Sequence, residues 1–469
     1  MSMLLGGHGM PESRKLECIE MQTKGEYMKR GLFGVCASLA ATISAAPAID
    51  ASKVVVSQPQ GTRDIKIEYV LTGAPAVVTV EMQTNTLDNG QGDWISLDGS
   101  LVQSVSGNVN KLILPSDDPL SFKWRARRDW PDRLVKSGRF RAVLTAWPKD
   151  APPPYMVCGL ESGKEGDVRY YADPAHIPGG LKSDLYKTDQ MIFRKVPASG
   201  VVWRMGSLDK ENQYGREPGV EQPHLVMLSE DYYVAIYETT QRQYELVTGS
   251  KPSTVVVGDK FPVTKVALGV LRGMKYVSAT DNQYCWPDGG HNVAENSAIW
   301  LFRKKTGLAG LDLPTEAQWE YACRAGEEYM FCNYRKNGFD PISVGWYKHD
   351  STNKDGKPRE VGTREPNDWN IFDMHGNVAE FCLDRYRTGD GRTANFATDW
   401  EDEGVTVDPD GGDAGYEQSG PSVYVVKRGG SVVWELGHAR SSASAQSSGG
   451  YNYESDYHGF RLVCPAVAE

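Results

Sequence analysis

The chain has 469 residues and a formal net charge of −10, with 40% hydrophobic and 24% charged residues. That length suits two or three domains with sizeable cores, and the composition is that of a soluble globular protein. The acidic balance, without a sustained Lys/Arg cluster, excludes a dedicated nucleic-acid binder, whose phosphate contacts demand a concentrated basic face.

Residues 1–27 are mixed polar without pattern and read as an upstream extension. Met28, Lys29 and Arg30 then supply a positive n-region. Residues 31–44 (GLFGVCASLAATIS) supply an apolar h-region, and Ala46-Pro47-Ala48 a small-x-small cleavage site, so 28–48 reads as a bacterial signal peptide. The run is too short and too rich in Ala and Ser for a retained anchor. No later segment is apolar enough for a stable membrane span, and the expected destination is the periplasm, the cell surface or the medium. Cys18 and Cys36 fall in this leader, leaving Cys158, Cys285, Cys323, Cys332, Cys382 and Cys464. In an oxidising compartment some can pair, with a connectivity that spacing does not give. The absence of Cys-x-x-Cys excludes a zinc ribbon or a thioredoxin-like motif.

Residues 49–150 carry strand patterns. The stretch 64–71 (DIKIEYVL) alternates apolar and polar, as do parts of 76–82 and 139–147 (RFRAVLTAW), with turn signals at 72–75 and at Asn89-Gly90. Short, evenly spaced strands predict an all-β sandwich, which resembles immunoglobulin- or fibronectin-like modules. Trp124 and Trp130 are expected to pack at its edge, with a carbohydrate-stacking surface as the alternative. Ala151-Pro152-Pro153-Pro154 reads as a semi-rigid linker that opens a connector over 151–190. A large domain then spans 191–466.

Three helix starts follow from capping chemistry. Thr240-x-x-Gln243 is a capping box ahead of a helix stopped by Gly249. Asn292-x-x-Glu295 is expected to open a second, ending at Lys304-Lys305-Thr306-Gly307 with cations at its negative end. Thr315-x-x-Gln318 opens a third, with Gly326 as its stop. Between them lie long Gly/Asp/Tyr-rich stretches, which gives a mixed α+β fold of low regular secondary structure.

Toward the C-terminus, residues 373–380 (DMHGNVAE) place carboxylates at both ends of a loop with Gly376 in its middle. Such a loop turns main-chain oxygens inward, and calcium takes hard oxygen ligands. His375 within it is read as a hydrogen-bonded structural residue. The acidic stretch 399–413 (DWEDEGVTVDPDGGD) reads as a solvated surface insertion. Residues 428–462 open RGGSVVWELGHARSS, close HGFRL and contain no cysteine.

Six blocks carry a family resemblance: Met205-Gly206-Ser207, Tyr237-Glu238-Thr239-Thr240, 313–326 (LPTEAQWEYACRAG), 373–381, 428–431 and 459–462. Together and in this order they resemble the formylglycine-generating enzyme (sulfatase-modifying factor) family over 191–464. The resemblance implies a fold related to C-type lectins. It also implies a structural Ca2+ held by Asp373, the Gly376 and Val378 carbonyls, and Glu380. Catalytic members bind copper(I) through two cysteines whose positions here are Trp434 and Ala439. The family's pocket tryptophan is Ala379, while its Ser431 is kept. Neither an indole nor a methyl group ligates copper, so copper is not expected.

The resulting expectation is an exported, non-catalytic recognition protein, a pseudoenzyme. Its C-terminal segment would take a peptide, glycan or protein ligand through Ser431, Trp434, His438, Arg440 and His458, with Tyr451 and Tyr453 nearby. The alternatives are an oxygen-dependent sulfatase maturase (Cys to formylglycine) or related oxidase with atypical metal ligands, and a structural part of a surface assembly.

Overall fold

A computed structural model describes residues 45–87, 90–131, 137–161, 166–217, 220–278, 281–284, 292–336, 338–349, 353–385, 404–409, 425–446 and 453–468. Nearly all of the export segment, Cys285, Tyr451 and most of the acidic stretch 399–413 lie outside them. Strands dominate, with a few short helices between them.

The N-terminal part builds two antiparallel sheets from β1 (Val55–Ser57), β2 (Ile65–Tyr69), β3 (Ala76–Asn85), β4 (Trp94–Ser96), β5 (Val105–Gly107), β6 (Lys111–Ile113), β7 (Leu120–Trp124) and β8 (Phe140–Pro148). One sheet runs β1-β2-β7-β5, and the other runs β8-β3-β4 with β6 also on β3. Alternation along β2 sends Ile65, Ile67 and Tyr69 inward, as a period of two requires. They join Val78, Met82, Phe122 and Phe140 in one apolar cluster.

Trp124, Trp130 and Phe140 meet edge-to-face in that cluster, with centroids 5.2–5.7 Å apart. Trp124 Nε1 donates to Asp129 at 2.8 Å. The two indoles are 0% and 8% exposed, so core packing uses the faces a sugar would need.

The prolines expected to act as a spacer are docked instead. The Pro152, Pro153 and Pro154 carbonyls accept from Lys195 Nζ, the Tyr233 hydroxyl and Lys195 N respectively. The connector that follows also joins a sheet: β9 (Tyr155–Gly159) and β10 (Val168–Tyr171) belong with β11 (Gln190–Val196), β14 (Tyr232–Ala235) and β20 (Val463–Pro465) in the order β10-β9-β11-β14-β20. Buried runs such as YMVC in β9 lack the alternation that marks a half-exposed strand, which is why this segment reads as a connector in sequence.

A second sheet pairs β12 (Val201–Met205) with β13 (His224–Leu228), and β13 runs parallel to β16 (Val405–Val407). Residues 405–407, read as part of a solvated insertion, therefore form an exposed edge strand, held further by Asp408 accepting from Ser229 N.

Helix α1 (Gln241–Thr248) has the Thr240/Gln243 capping box and stops at left-handed Gly249. Helix α2 (Ala298–Thr306) starts later than the Asn292 signal, because Ser297 is the residue that accepts from Trp300 N. Its predicted end at Gly307 holds. Helix α3 (Glu316–Arg324) has the Thr315/Gln318 capping box and is stopped one residue earlier than expected, by Ala325, left-handed at φ 49°, and not by Gly326.

Candidate functional site

The C-terminal sheet runs β18-β17-β15-β19, from β15 (Ala379–Arg385), β17 (Val425–Arg428), β18 (Ser444–Gln446) and β19 (His458–Gly459). Its register pairs Lys427 with Phe381 and Ala445, Arg428 with Glu380 and Ser444, and His458 with Ala379. Neighbouring residues in a strand face opposite ways. Ala379, Phe381, Lys427 and His458 therefore share one face, and Glu380 and Arg428 share the other.

The Glu380/Arg428 face is an ion-pair layer against α3. Glu380 accepts from Arg461 at 2.6 Å on each oxygen, and from Trp319 Nε1 at 2.7 Å. Arg428 reaches Glu316 at 3.1 Å and Glu320 at 2.5 Å. Glu320 also takes Arg324 and the Gly206 amide. Burial alone would raise the Glu320 carboxyl, but Arg324 and Arg428 hold it below its ordinary value. These contacts explain the sequence blocks around Gly206, 313–326, 373–381, 428–431 and 459–462: each contributes to one buried charge network.

The loop 373–380 sits behind this layer. Gly376 has φ +119°, and a Cβ there would stand 2.0 Å from the Trp346 carbonyl oxygen, so only glycine fits. Asp373 is buried with a left-handed backbone at φ 59°. One of its oxygens accepts from Gly362 N at 2.6 Å, and the other, Oδ1, is buried without a partner among the described residues. Burial pushes its carboxyl up to about 6 despite that bond and Arg461. Glu238, beside it, accepts from Val378 N and Asn377, and is raised well above its ordinary value by burial and by the charges of Asp373 and Glu380. Among the described residues no three His, Cys, Asp or Glu side chains converge to hold a metal by themselves. A cation at this loop would draw on main-chain oxygens as well as Asp373 Oδ1. Glu380 spends three of about four lone-pair directions on Arg461 and Trp319, which leaves one for such an ion.

The expected ligand residues divide into two groups. Trp434 is half-buried, with its ring 5.6 Å from that of exposed His438 and 6.2 Å from that of buried His458. These three come together. Ser431 and Arg440 go elsewhere. Ser431 is fully buried and its hydroxyl has no partner among the described residues. Arg440, expected at a surface, is 0% exposed. It pairs with both oxygens of Glu221 at 2.8 Å and with Glu211 at 3.0 Å. A guanidinium taken into the interior requires such carboxylates, so Arg440 fastens the segment to residues 211–221 and leaves no donor for a ligand.

Ala439 lies in an apolar cluster with Phe331 and Tyr347, so the two positions that hold copper thiolates in the family carry an indole and a buried methyl. A copper(I) site does not fit them. Cys323 and Cys332 belong to a hydrogen-bonded set around His375. Its Nδ1 donates to the Ala439 carbonyl at 2.8 Å, its Nε2 accepts from Cys332 N at 3.0 Å, and Cys323 Sγ stands 3.8 Å from Nε2. That fixes the tautomer and occupies both ring nitrogens. Burial pushes the Cys323 thiol up to about 12. The described cysteines Cys158, Cys323, Cys332, Cys382 and Cys464 are all buried and none is in a disulfide.

Sequence reasoning passed over Lys427. It is 2% exposed, its Nζ lies 2.9 Å from His458 Nε2 and 5.0 Å from the centre of the Trp434 ring, and it has no ion pair among the described residues. Its signal was available: Lys427 and Arg428 are adjacent in a strand, so one of the two had to face away from the carboxylates of α3.

Two clefts lie apart from this segment. One, of about 790 Å³, is lined by Arg125, Arg128, Arg169 and His176 among others, and a second, of about 540 Å³, by Asp231, Arg303 and Asp408 among others. None of the expected ligand residues lines either. No helix among the described residues is long and apolar enough to cross a membrane.

Residues 196–466 match the sulfatase-modifying factor enzyme 1-like domain. The chain is similar to the chaperone protein LppX of Paenibacillus barcinonensis, 30% identical over 177 residues that cover 32% of this chain and 61% of LppX. It is also similar to the formylglycine-generating enzyme of Streptomyces coelicolor, 32% identical over 157 residues that cover 30% of this chain and 45% of that enzyme. The matches thus span less than two thirds of either relative. Among solved structures it is similar to Treponema denticola variable protein 1 (22% identity, 59% of this chain and 95% of that one, TM-score 0.41). It is likewise similar to PvdO from Pseudomonas aeruginosa (20% identity, 58% and 94%, TM-score 0.43).

Proposed function

We propose, from the premise that this chain belongs to the sulfatase-modifying factor family, that it is an exported, non-catalytic recognition protein. The observation that carries the reading is the state of positions 434 and 439. An indole and a buried methyl stand where copper thiolates would be needed, and the thiol–imidazole set beside Ala439 has no nitrogen lone pair free for a metal. A fold whose reactive pair is replaced, while its charge network is complete, serves as a scaffold. The surface it offers is the Trp434–His438 edge, with Tyr453, 37% exposed, beside His458. Aromatic groups of this kind suit a peptide, a glycan or another protein as ligand.

Copper(I) titration together with turnover assays on a Cys-x-Pro-x-Arg peptide tests this reading. No stoichiometric copper binding and no formylglycine are expected. Binding accompanied by turnover would instead select a maturase with atypical ligands. Screening on glycan and peptide arrays then identifies the ligand class, and a protein that binds neither belongs to the structural-assembly reading. Export through the 28–48 segment is part of the proposal, and cell fractionation checks it.

We further propose a structural calcium at 373–380, supported by the partnerless, buried Asp373 Oδ1. The ion would neutralise a carboxylate that burial otherwise penalises. Calcium added to chelator-treated protein should raise its melting temperature, and an unchanged melting curve rejects the site.

A further inference from the structure

The side of the C-terminal sheet that faces Trp434 holds a second chemistry. Lys427 is 2% exposed on a strand whose four residues are all buried. Its neighbour Arg428 collects two carboxylates on the opposite face, while Lys427 meets His458 at 2.9 Å, the Trp434 ring at 5.0 Å and, across the strand, Phe381. The charged groups that face Lys427 from the packed elements therefore reduce, among the described residues, to His458. An ammonium buried among aromatic rings without a counter-ion is costly, and the amine sheds its proton instead. Consistently, burial brings the Lys427 ammonium down to about 7, and burial with the neighbouring lysine brings the His458 imidazolium down to about 3. His458 Nδ1 has no partner among the described residues.

From this juxtaposition we infer that Lys427 is an amine nucleophile that condenses with the carbonyl carbon of an aldehyde or ketone ligand entering beside Trp434 and Tyr453. Desolvation is one of the ways a lysine is prepared for this chemistry. In the step, the Nζ lone pair adds to the carbonyl carbon and a C=N bond replaces C=O. The oxygen leaves as water carrying both amine hydrogens, so no oxidant or reductant is consumed. His458 is a positioning residue: by accepting one N–H through Nε2 it fixes the orientation of the amine and its lone pair. The partly exposed Tyr453 ring, 37% accessible, lies 5.7 Å from that of His458, so the pair is close to a side chain that reaches solvent. The sheet register brings Lys427 and His458 together whichever partner the Trp434 edge binds.

The test uses the full exported chain with acetaldehyde and cyanoborohydride at pH 7, followed by peptide mapping of alkylated lysines. Lys251 and Lys348, 56% and 59% exposed, serve as internal references. An ordinary lysine holds well under a thousandth of its population as free amine at that pH. Lys427 should therefore label on the order of tenfold faster or more even after steric hindrance, with a rate that levels off just above pH 7. Replacing the acceptor by His458→Leu should slow labelling at Lys427 and leave Lys251 and Lys348 unchanged. The proposal is overturned if wild-type Lys427 stays unlabelled while the reference lysines react. It is equally overturned if Lys427 labels at their rate with a profile still rising at pH 10.

Discussion

Arg440 holds Glu221 through two parallel contacts of 2.8 Å, one to each carboxylate oxygen, across 219 residues of chain. Glu211 and the Ser442 hydroxyl complete the grip. Replacing Arg440 by Met leaves two carboxylates buried without their cation. Removing one partner of such a pair costs about 3–5 kcal/mol, so Arg440→Met should lower the urea midpoint sharply. The variant that also carries Glu211→Gln and Glu221→Gln should recover most of the loss. Equal destabilisation in both would mean that packing, not charge, is what Arg440 supplies.

Asp373 yields a pH dependence of definite sign. Its carboxyl is raised from 3.8 to about 6 in the folded chain by burial, so the folded state binds more protons between those values. In calcium-free protein its contribution to stability is present below about pH 4 and is lost as pH rises through 6. Asp373→Asn should remove that loss, because asparagine tolerates the left-handed backbone and carries no charge. Unfolding of the two proteins in chelator should diverge above pH 6 in favour of the variant, and calcium should no longer stabilise it.

Lys427 titrates in the opposite sense. Its folded value of about 7 lies below the ordinary 10.5, so the unfolded chain binds the extra proton in between. Stability at this site is fully present above 10.5 and is lost as pH falls toward 7. Lys427→Met should therefore be more stable than the parent at pH 6–7, by on the order of a few kcal/mol. The advantage should shrink steadily up to pH 10. A constant difference across that range would assign the effect to packing.

In the N-terminal part, Asp129 accepts from Trp124 Nε1 at 2.8 Å, Ser104 N at 2.8 Å and Ser104 Oγ at 2.6 Å. Asp129→Ala strips all three. Trp124 is fully buried and Ser104 half-buried; a buried donor left unpaired costs about 1–3 kcal/mol, so a loss of at least about 1–3 kcal/mol is expected by denaturant unfolding. Tryptophan fluorescence should change with it, since Trp124 packs edge-to-face on Trp130 and Phe140.

Much of this protein is legible in its sequence. Capping boxes at Thr240 and Thr315 mark helix starts because a side-chain hydroxyl three residues before an amide is local chemistry, independent of what packs outside. Alternation in 65–69 gives a strand and its inward face for the same reason. The ordered blocks fixed the family, and the replaced cysteines were plain at Trp434 and Ala439. Local signals failed where several competed: Asn292 looked like a cap, yet Ser297 lies closer to the amides that need one.

Tertiary structure alone decided which polar residues are available. Arg440 and His438 sit two positions apart in the segment, yet one is sealed among carboxylates and the other is in solvent. The carboxylates that seal Arg440, on Glu211 and Glu221, come from far away in the chain, and its burial is a property of those partners. Lys427 and Arg428 are likewise indistinguishable as a basic pair in sequence. A strand turns them to opposite faces, α3 supplies carboxylates to one only, and desolvation gives the other its chemistry. Sequence named the scaffold and the missing copper ligands, while long-range packing set the charge state of what remains.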